Sequence, residues 1–440
     1  GRMSGNRKSM LPNVGLVGAG LLILVGLAGC VEDEVGPQFA NNPPTATAGP
    51  TSGLPTAAAA TPNVIATPVS HATPVAIADV LGTRGAVQRI FLASNETIWT
   101  VDDNGDGEAI LDVEPDEQVL AIGPAPDATR VAAILALDSG RASSLVILEA
   151  NGDLVEELDL PGETSASPVP AAITARNVSV DWSPQGDRIL LLAGNGELLT
   201  VPVEPGASFE RVNTSDADGV ILEPAWSPTG QQIAFLRVDP ETRTRALVVY
   251  DLKSDATTEL VGPGDGRIVV EFAWEPGGQE ILFTEGSALS SATTGIDLWR
   301  IGADGKNREL VAAAGAAAPV ARISTVTPSP DGKSVAYAVL VPGAGAPSVD
   351  SVWVRDLASG QGIRLGLPSV RSVENIWWTS RGLAIATVAD RRNQPILAVL
   401  LVAPSGNVSA LWAEPLGAAS PVPIATPSAG DEGQVEAASP

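Results

Sequence analysis

Short apolar segments separated by polar turns run through most of this chain, and one stretch shows the pattern well. Four predicted strands follow one another at residues 178–182, 188–193, 197–203 and 209–212. Between the first two strands, Pro184 stands where the backbone needs a φ of about −65°, and Gly186 stands where φ can be positive. No apolar run keeps a helical period, so the pattern predicts an all-β protein.

The chain contains seven units of this kind, and each unit has a tight turn between its third and fourth predicted strands. The turns lie at Asn104-Gly105, Asn151-Gly152, Pro205-Gly206, Ser254-Asp255, Asp304-Gly305, Ser359-Gly360 and Ser405-Gly406. They are 46 to 55 residues apart, which is the period of a β-propeller blade. The repeat predicts a seven-bladed β-propeller of four-stranded antiparallel blades over residues 77–414.

A ring of six blades is the alternative, because only six units contain a recognisable first strand. The first unit lacks this strand, and either residues 75–81 or residues 422–426 could supply it. Closure by a terminal strand removes open sheet edges that would pair with another chain. We favour residues 75–81 for this role and expect a monomer.

The first strands end in a shared signature, Trp-Ser-Pro-x-Gly, and its tryptophans recur at the blade period. They are Trp182, Trp226, Trp274 and Trp378. One tryptophan buries roughly 150–250 Å², so this repetition predicts packing between neighbouring sheets. Trp377 must point to the opposite face of its strand from Trp378, and we regard it as a candidate ligand contact.

This signature, followed by an apolar strand and by a strand ending in Asp-x-x-x-Gly, resembles the repeat of TolB-type propellers over roughly residues 75–414. The resemblance implies the fold and leaves the activity open. The same repeat occurs in the periplasmic protein of the Tol system, in the propeller domains of prolyl-oligopeptidase-type enzymes and in many lipoproteins. This chain differs from the Tol-system protein, because a lipobox-like motif and a linker stand where an α/β domain is expected.

Residues 1–29 are predicted to be an export signal. Three basic residues (Arg2, Arg7 and Lys8) precede an apolar run over residues 11–27, and small residues precede Cys30. The sequence Leu-Ala-Gly-Cys resembles the lipobox of bacterial lipoproteins, which implies cleavage before Cys30 and a diacylglycerol on its thiol. An uncleaved signal anchor is the alternative. Both interpretations place the rest of the chain outside the cytoplasm on a membrane tether.

Two segments are predicted to be disordered because they carry too little apolar bulk for a core. Residues 30–76 are rich in Pro, Thr and Ala, and residues 415–440 have a similar composition. Proline restricts φ and favours extended chain, so the first segment is predicted to be a semi-stiff linker between the membrane and the propeller.

Composition excludes several classes of function. The net charge of −25 disfavours nucleic acid as a partner. The only histidine, His71, lies in the linker, and Cys30 is the only cysteine, so the predicted propeller has neither residue type for catalysis or zinc binding. Our hypothesis is a non-catalytic scaffold that binds an extracytoplasmic protein or peptide. A carbohydrate-binding propeller is the alternative, and a carboxylate-dependent lyase or glycosidase is the third hypothesis.

The predicted binding surface is the propeller face that carries the loops between second and third strands and the connections between blades. These segments are long and irregular here, and recognition usually lies on irregular loops held by a rigid frame. The candidate residues on this face are Asp239, Glu241, Arg243, Arg245, Arg391 and Arg392. The arginines suit a carboxylate or an acidic patch of a partner, and the alternative is that they are solvated loop charges.

One turn has the spacing of a calcium loop. Asp102, Asn104 and Asp106 alternate before Gly107, as at the start of an EF-hand loop. The twelfth position, where an EF-hand needs an acidic residue, is Val113. An ordinary hairpin turn is the alternative, because six other units have such a turn at this place. No other cofactor is predicted.

Overall fold

The computed structural model describes Leu81 and residues 88–137, 142–161, 178–192, 197–212, 214, 219–239, 241–242, 244–262, 267–287, 295–314, 321–342, 348–392, 394–416 and 421–422. The chain divides into Gly1–Ser70 and His71–Pro440, and every described residue belongs to the second part. Cys30 and the predicted export signal lie outside these residues. In the described part, no helix has the length and apolar character needed to cross a membrane.

The described strands form seven antiparallel sheets that follow one another along the chain, here numbered blades 1 to 7. Blade 1 has β1 (Arg89–Ala93), β2 (Thr97–Asp102) and β3 (Gly107–Asp112). Blade 2 has β4 (Glu117–Pro124), β5 (Arg130–Leu137), β6 (Ala142–Glu149) and β7 (Leu154–Asp159). Blade 3 has β8 (Ser179–Trp182), β9 (Arg188–Leu192), β10 (Leu198–Pro202) and β11 (Glu210–Arg211). Blade 4 has β12 (Val220–Trp226), β13 (Gln232–Val238), β14 (Arg245–Asp251) and β15 (Ala256–Val261).

The remaining blades repeat this plan. Blade 5 has β16 (Arg267–Trp274), β17 (Glu280–Ser287), β18 (Asp297–Gly302) and β19 (Glu309–Ala312). Blade 6 has β20 (Arg322–Pro328), β21 (Ser334–Val341), β22 (Ser348–Asp356) and β23 (Gly362–Leu365). Blade 7 has β24 (Ser372–Thr379), β25 (Gly382–Arg391), β26 (Gln394–Val402) and β27 (Val408–Pro415). The protein is a seven-bladed β-propeller, which confirms the predicted fold class and excludes six blades.

The C-terminal segment completes blade 1. Pro421 forms an antiparallel bridge with Ser94, and the Val422 N–H donates to the Ala93 carbonyl at 3.0 Å. The Val422 side chain is buried in the apolar cluster between blades 1 and 2. The preference for residues 75–81 is therefore wrong: Leu81 packs between blades 6 and 7, and residues 75–80 lie outside the described residues. The ring thus extends beyond residue 414.

Each blade is buried on both faces, because its two neighbours in the ring cover them. Trp378 belongs to the apolar cluster between blades 6 and 7, whereas Trp377 belongs to the cluster between blades 7 and 1. Both residues are 3% exposed. The two side chains do point to opposite faces of β24, but the second face is core as well. Trp377 is therefore not a surface ligand contact, contrary to the sequence-based expectation.

Three of the four repeated tryptophans join neighbouring blades by hydrogen bonds as well as by packing, whereas the buried indole N–H of Trp226 has no partner among the described residues. The indole N–H of Trp182 donates to the Gly123 carbonyl at 2.8 Å, and that of Trp378 donates to the Thr327 carbonyl at 3.2 Å. Trp274 makes the corresponding contact at 3.4 Å. In each pair the acceptor lies on the innermost strand of the preceding blade. All four repeated tryptophans are buried, which confirms their assignment to the core.

The serine of the repeated signature stabilises the turn after the first strand. The Ser227 Oγ accepts the backbone N–H of Gln232 at 3.0 Å, and the Ser329 Oγ accepts that of Ser334 at 2.9 Å. A short hydroxyl side chain thereby supplies an acceptor to a buried backbone donor. The signature Trp-Ser-Pro-x-Gly is accounted for by packing and turn geometry, and it carries no evidence of a ligand.

A chain that ends at Leu416 is expected to be less stable than the full chain. It loses the buried Val422 side chain and the hydrogen bond to Ala93, which together contribute about 2–4 kcal/mol to the free energy of unfolding. Urea unfolding followed by tryptophan fluorescence measures the difference. A chain that ends at residue 430 is the control and is expected to unfold like the full chain. Equal midpoints for both truncations would show that Pro421 and Val422 do not close the ring.

Candidate functional site

The innermost strands of blades 4 and 6 each contain a bulge. In β12, Leu222 pairs with Leu236 and Ala225 pairs with Ala234, so Glu223 and Pro224 together oppose a single residue. In β20, Thr325 and Val326 do the same. Glu223 has a φ of 50° and Thr325 a φ of 55°, in the left-handed region that a β-branched residue such as threonine rarely adopts. Bulges redirect side chains and amides, and they often lie beside functional sites.

Glu271 lies in β16, on the blade between these two bulges. The Val326 N–H donates to Glu271 Oε1 at 3.2 Å, and the neighbouring Thr325 N–H also bonds to this carboxylate. The left-handed backbone at Thr325 thus directs two successive amides towards one anion. Burial raises the pKa of Glu271 to about 7; the amide hydrogen bonds oppose this rise, and the charge of Glu223 adds to it.

Glu223 combines two properties that are seldom found together. Its side chain is exposed to water, yet the surrounding protein raises the pKa of its carboxyl group by desolvation, and Arg245 opposes that shift. A side chain that projects into a water-filled channel enclosed by the ring has both properties, and the innermost strands of a propeller line such a channel. Glu223 lies on β12, the innermost strand of blade 4, whose unpaired edge borders the centre of the ring, and its carboxyl group is within electrostatic range of Arg245 and Glu271.

Asp181 accepts a backbone N–H of the next blade in the way that Glu271 does, and its side chain is buried. Its Oδ2 accepts the backbone N–H of Trp226 at 2.8 Å across the junction of blades 3 and 4. Burial raises the pKa of Asp181 to about 7, although the hydrogen bonds from the Trp226 and Trp182 backbones oppose the shift. An innermost strand has no neighbour on its channel side, so its inward N–H groups need other acceptors. Asp181 and Glu271 supply them to the following blade.

A second charged group lies on blade 5, towards blade 4. The Glu285 carboxylate is buried, and its Oε2 accepts hydrogen bonds from Arg267 Nε and Arg308 Nη2, both at 2.6 Å. The Arg308 guanidinium lies 4.5 Å from the centroid of Trp299, and that of Arg267 lies 5.9 Å from it. One buried anion and one aromatic ring therefore hold two partly exposed arginines side by side.

The structure separates the arginines that the sequence suggested. Arg245 begins β14 and lies near Glu223, whereas Arg391 and Arg392 are exposed in the hairpin between β25 and β26 of blade 7, three blades further along the ring. Arg243 lies outside the described residues. The predicted residues therefore do not form one cluster.

The two predicted acidic residues of the blade 4 loop belong to a turn. The Asp239 carboxylate accepts the N–H groups of Glu241 and Thr242 at 2.8 and 2.9 Å. The hydrogen bonds from Thr242 and Glu241 hold the pKa of Asp239 below its usual value. Glu241 is exposed. Asp239 is thus committed to the local backbone, and Glu241 and Arg245 are the other charged groups among the described residues of this loop.

The residues of the suggested calcium loop form a hydrogen-bonded turn. Asp102 Oδ1 accepts the N–H groups of Asn104 and Asp106, both at 2.9 Å. Asp251 and Asp356 accept backbone N–H groups in the corresponding turns of blades 4 and 6. Within the described part of the chain, no group of three or more acidic, histidine or cysteine residues is arranged to hold a metal ion. The calcium interpretation finds no support in this geometry.

A groove of about 530 Å³ lies on the opposite face of the propeller, between the turns of blades 1 and 2. Its lining includes Arg89 and four acidic residues: Asp102, Asp103, Asp127 and Glu149. Asp102 and Asp127 accept backbone N–H groups of their own turns. Two of the four acidic side chains in the groove therefore stabilise turns.

Sequence reasoning missed Glu223, Glu271, Arg267 and Arg308. One signal was available: Glu223 and Glu271 each stand three residues before a signature tryptophan, inside otherwise apolar first strands. The same charged position in two successive repeats is unusual for a strand buried on both faces. The arginine pair had no such signal, because Arg267, Glu285 and Arg308 lie on three different segments that only the folded sheet brings together.

No protein-family model and no curated protein matches this sequence. Solved structures do match the fold. A puromycin hydrolase structure aligns with a TM-score of 0.52 at 15% identity, over 77% of this chain and 55% of that one. An oligogalacturonate lyase in complex with manganese aligns with a TM-score of 0.50 at 14% identity, over 74% of this chain and 85% of that one. They share the fold alone.

TolB from Acinetobacter baumannii is also similar, with a TM-score of 0.41 and 14% identity over 76% of this chain. The present chain covers 66% of that protein. The two structures with TM-scores of 0.52 and 0.50 agree with the predicted propeller fold. They do not assign an activity, because proteins with different functions share the same scaffold.

The variant Asp181→Asn is expected to change the pH dependence of stability. The wild-type carboxyl has a folded-state pKa of about 7, above the unfolded value of about 3.9. The free energy of unfolding of the wild type therefore falls as pH rises from the unfolded pKa through the folded pKa. Asparagine keeps an acceptor for the Trp226 N–H and has no charge to bury. Between pH 5 and pH 8, the free energy of unfolding of the variant should rise by roughly 2–3 kcal/mol relative to the wild type.

Urea unfolding at the two pH values measures this effect. The exposed residue Asp116 provides a matched control, since Asp116→Asn changes the same chemical group outside the ring core. An identical pH dependence in wild type and Asp181→Asn would contradict the assignment of a buried, protonatable carboxyl at this position.

Proposed function

We propose that this protein is a membrane-anchored, extracytoplasmic propeller that binds a protein or peptide partner without catalysis. The binding surface is the loop face of blades 4 and 5, around Glu223, Arg245 and the Arg267–Arg308 pair. The observation that carries the proposal is Glu223, a carboxylate that faces the channel with no hydrogen-bond donor on it among the described residues. The export signal and Cys30 support the location and the anchor.

The chemistry of the described residues favours binding over catalysis. Asp181 and Glu271 have raised pKa values, but both carboxylates are engaged with backbone N–H groups of the next blade. Their role in joining blades explains their burial without a reaction. Blades 4 and 5 also present both acidic and basic side chains, which suits recognition of a polar partner surface.

A carbohydrate partner receives less support. Glycan-binding surfaces commonly present aromatic rings to the solvent. Among the described residues, the exposed large apolar side chains are Leu137, Leu154, Val155, Leu252 and Leu310, and no aromatic residue belongs to this set.

A carboxylate-dependent lyase or glycosidase is the second candidate function, and one observation favours it. Glu223 and Glu271 interact electrostatically, and Glu271 has a pKa of about 7. Two carboxyl groups within electrostatic range of each other can divide the roles of acid and base. This candidate and the binding proposal make opposite predictions for turnover.

Partner capture tests the binding proposal. The full-length tagged protein is used to retain partners from its own detergent-solubilised envelope, and the retained proteins are identified. We expect Glu223→Gln and Arg245→Gln to reduce the same retained species by about tenfold, because each change removes a charge-assisted contact. Arg364→Gln is the control, since Arg364 is an exposed ion-paired arginine of blade 6. Equal retention by all variants would contradict the proposal.

The double variant Arg391→Gln/Arg392→Gln extends the same experiment to blade 7. Reduced retention would show that the partner footprint reaches that hairpin, as the sequence suggested. Retention equal to wild type would restrict the footprint to blades 4 and 5.

Turnover distinguishes the two functions. We expect neither wild type nor Glu271→Gln to release products from polygalacturonate or from β-linked cell-wall oligosaccharides. Reducing-end and unsaturated-product assays measure this. If the wild type turned over one of these substrates and Glu271→Gln lost ~10²–10⁴ of the rate, the enzyme would replace the binding proposal.

A further inference from the structure

We infer that Arg267 and Arg308 form a carboxylate-binding site for acidic side chains of a peptide segment. This inference rests on the proposed partner binding and specifies its chemistry. The site lies on blade 5, at the first residue of β16 and just before β19, on the side that faces blade 4.

Two features hold the arginines in place before any ligand arrives. Both guanidinium groups donate to the same oxygen of Glu285, whose side chain is only 3% exposed. Both also lie over the ring of Trp299, and Arg308 is 5.3 Å from the centroid of Phe283. Ordering a free arginine side chain costs conformational entropy. Here that ordering is achieved in the folded protein, so a ligand does not have to oppose it.

The two arginines keep donors that can reach a ligand. Arg267 uses Nε for Glu285, and its two terminal amino groups have no partner among the described residues. Arg308 uses Nη2, which leaves Nε and Nη1. The side chains are 41% and 36% exposed. The terminal amino groups of a guanidinium match the spacing of the two oxygens of a carboxylate, so Arg267 can bind one in a bidentate manner.

The charge balance favours an anion at this place. Two arginines and one glutamate give the group a net charge of +1, whereas the whole chain has a net charge of −25. At physiological salt the Debye length is about 8 Å, so a bound carboxylate responds mainly to the pair beside it and little to distant acids. The same screening means that a single carboxylate binds weakly, and a segment with several acidic residues binds better.

Fluorescence anisotropy with a labelled, end-capped hexaglutamate peptide tests the site in the full-length detergent-solubilised protein. We expect hexaglutamate to bind and an uncharged hexaglutamine peptide not to bind. Arg267→Gln should weaken hexaglutamate binding by about tenfold or more, because a charge-assisted bidentate contact is lost. Arg267→Lys should also weaken it, since lysine keeps the charge but cannot form the planar fork.

Matched variants keep the test interpretable. Arg364→Gln removes an exposed arginine from an ion pair with Asp350 on blade 6, and it should bind hexaglutamate like the wild type. Arg308→Gln leaves the buried Glu285 with one cation and can lower stability. Circular dichroism melting is therefore recorded for every variant, and Arg267→Lys provides the decisive comparison because a cation remains beside Glu285.

Three results would overturn the inference: folded wild-type protein that does not bind hexaglutamate, Arg267→Gln and Arg267→Lys that bind it as tightly as wild type, or binding of polygalacturonate with no binding of the peptide. Failure here is separable from failure of the proposed function. Partner capture that depends on Glu223 and Arg245 but not on Arg267 would remove this site and leave partner binding in place.

Discussion

The structure depends on one constraint: every blade is a sheet that must be covered on both faces, and only its two neighbours in the ring can cover it. The repeated tryptophans meet this constraint by filling the space between sheets, and three of them, Trp182, Trp274 and Trp378, also donate their indole N–H groups to the preceding blade. Burial of tryptophan between sheets is a large stabilising term, and the indole hydrogen bond fixes which carbonyl it meets. Packing between blades therefore sets both the stability of the ring and its register.

The inward edges of the blades create a second requirement, because the innermost strands have no neighbouring strand on the channel side. Carboxylates of one blade accept N–H groups of the next, as Asp181 does for Trp226 and Glu271 does for Val326. Each of these carboxyl groups could have a structural role or a catalytic role. Such a carboxyl group stabilises the ring through its hydrogen bonds to the next blade. Its raised pKa is also typical of a catalytic acid. The hydrogen-bond partners decide between these interpretations, and here they are backbone amides of the neighbouring blade.

Blades 4 and 5 stand apart because their charged residues have more than this structural role. Glu223 reaches the channel from a strained backbone position, and Glu285 organises two arginines that keep donors for a ligand. Elsewhere in the described ring, polar side chains close turns, as Ser329 and Asp356 do on blade 6, or form surface ion pairs, as Arg364 does with Asp350. A rigid ring with one locally charged, preorganised sector is the arrangement expected of a recognition scaffold.

The sequence by itself determined the blade architecture, the turns and the place of the core tryptophans, and it favoured seven blades over six. These features depend on local chemistry that repeats at a fixed period: apolar strands, Gly and Pro at turns, and one bulky residue per blade. Only the tertiary structure decided which end of the chain completes blade 1, because both ends have a short apolar segment and the ring geometry selects Pro421 and Val422. It also decided that Trp377 is core, since alternation along a strand does not tell whether the second face meets water or another blade. The arginine site depends on three segments that strand register brings together. The spacing of Arg267, Glu285 and Arg308 along the chain does not predict that they are in contact.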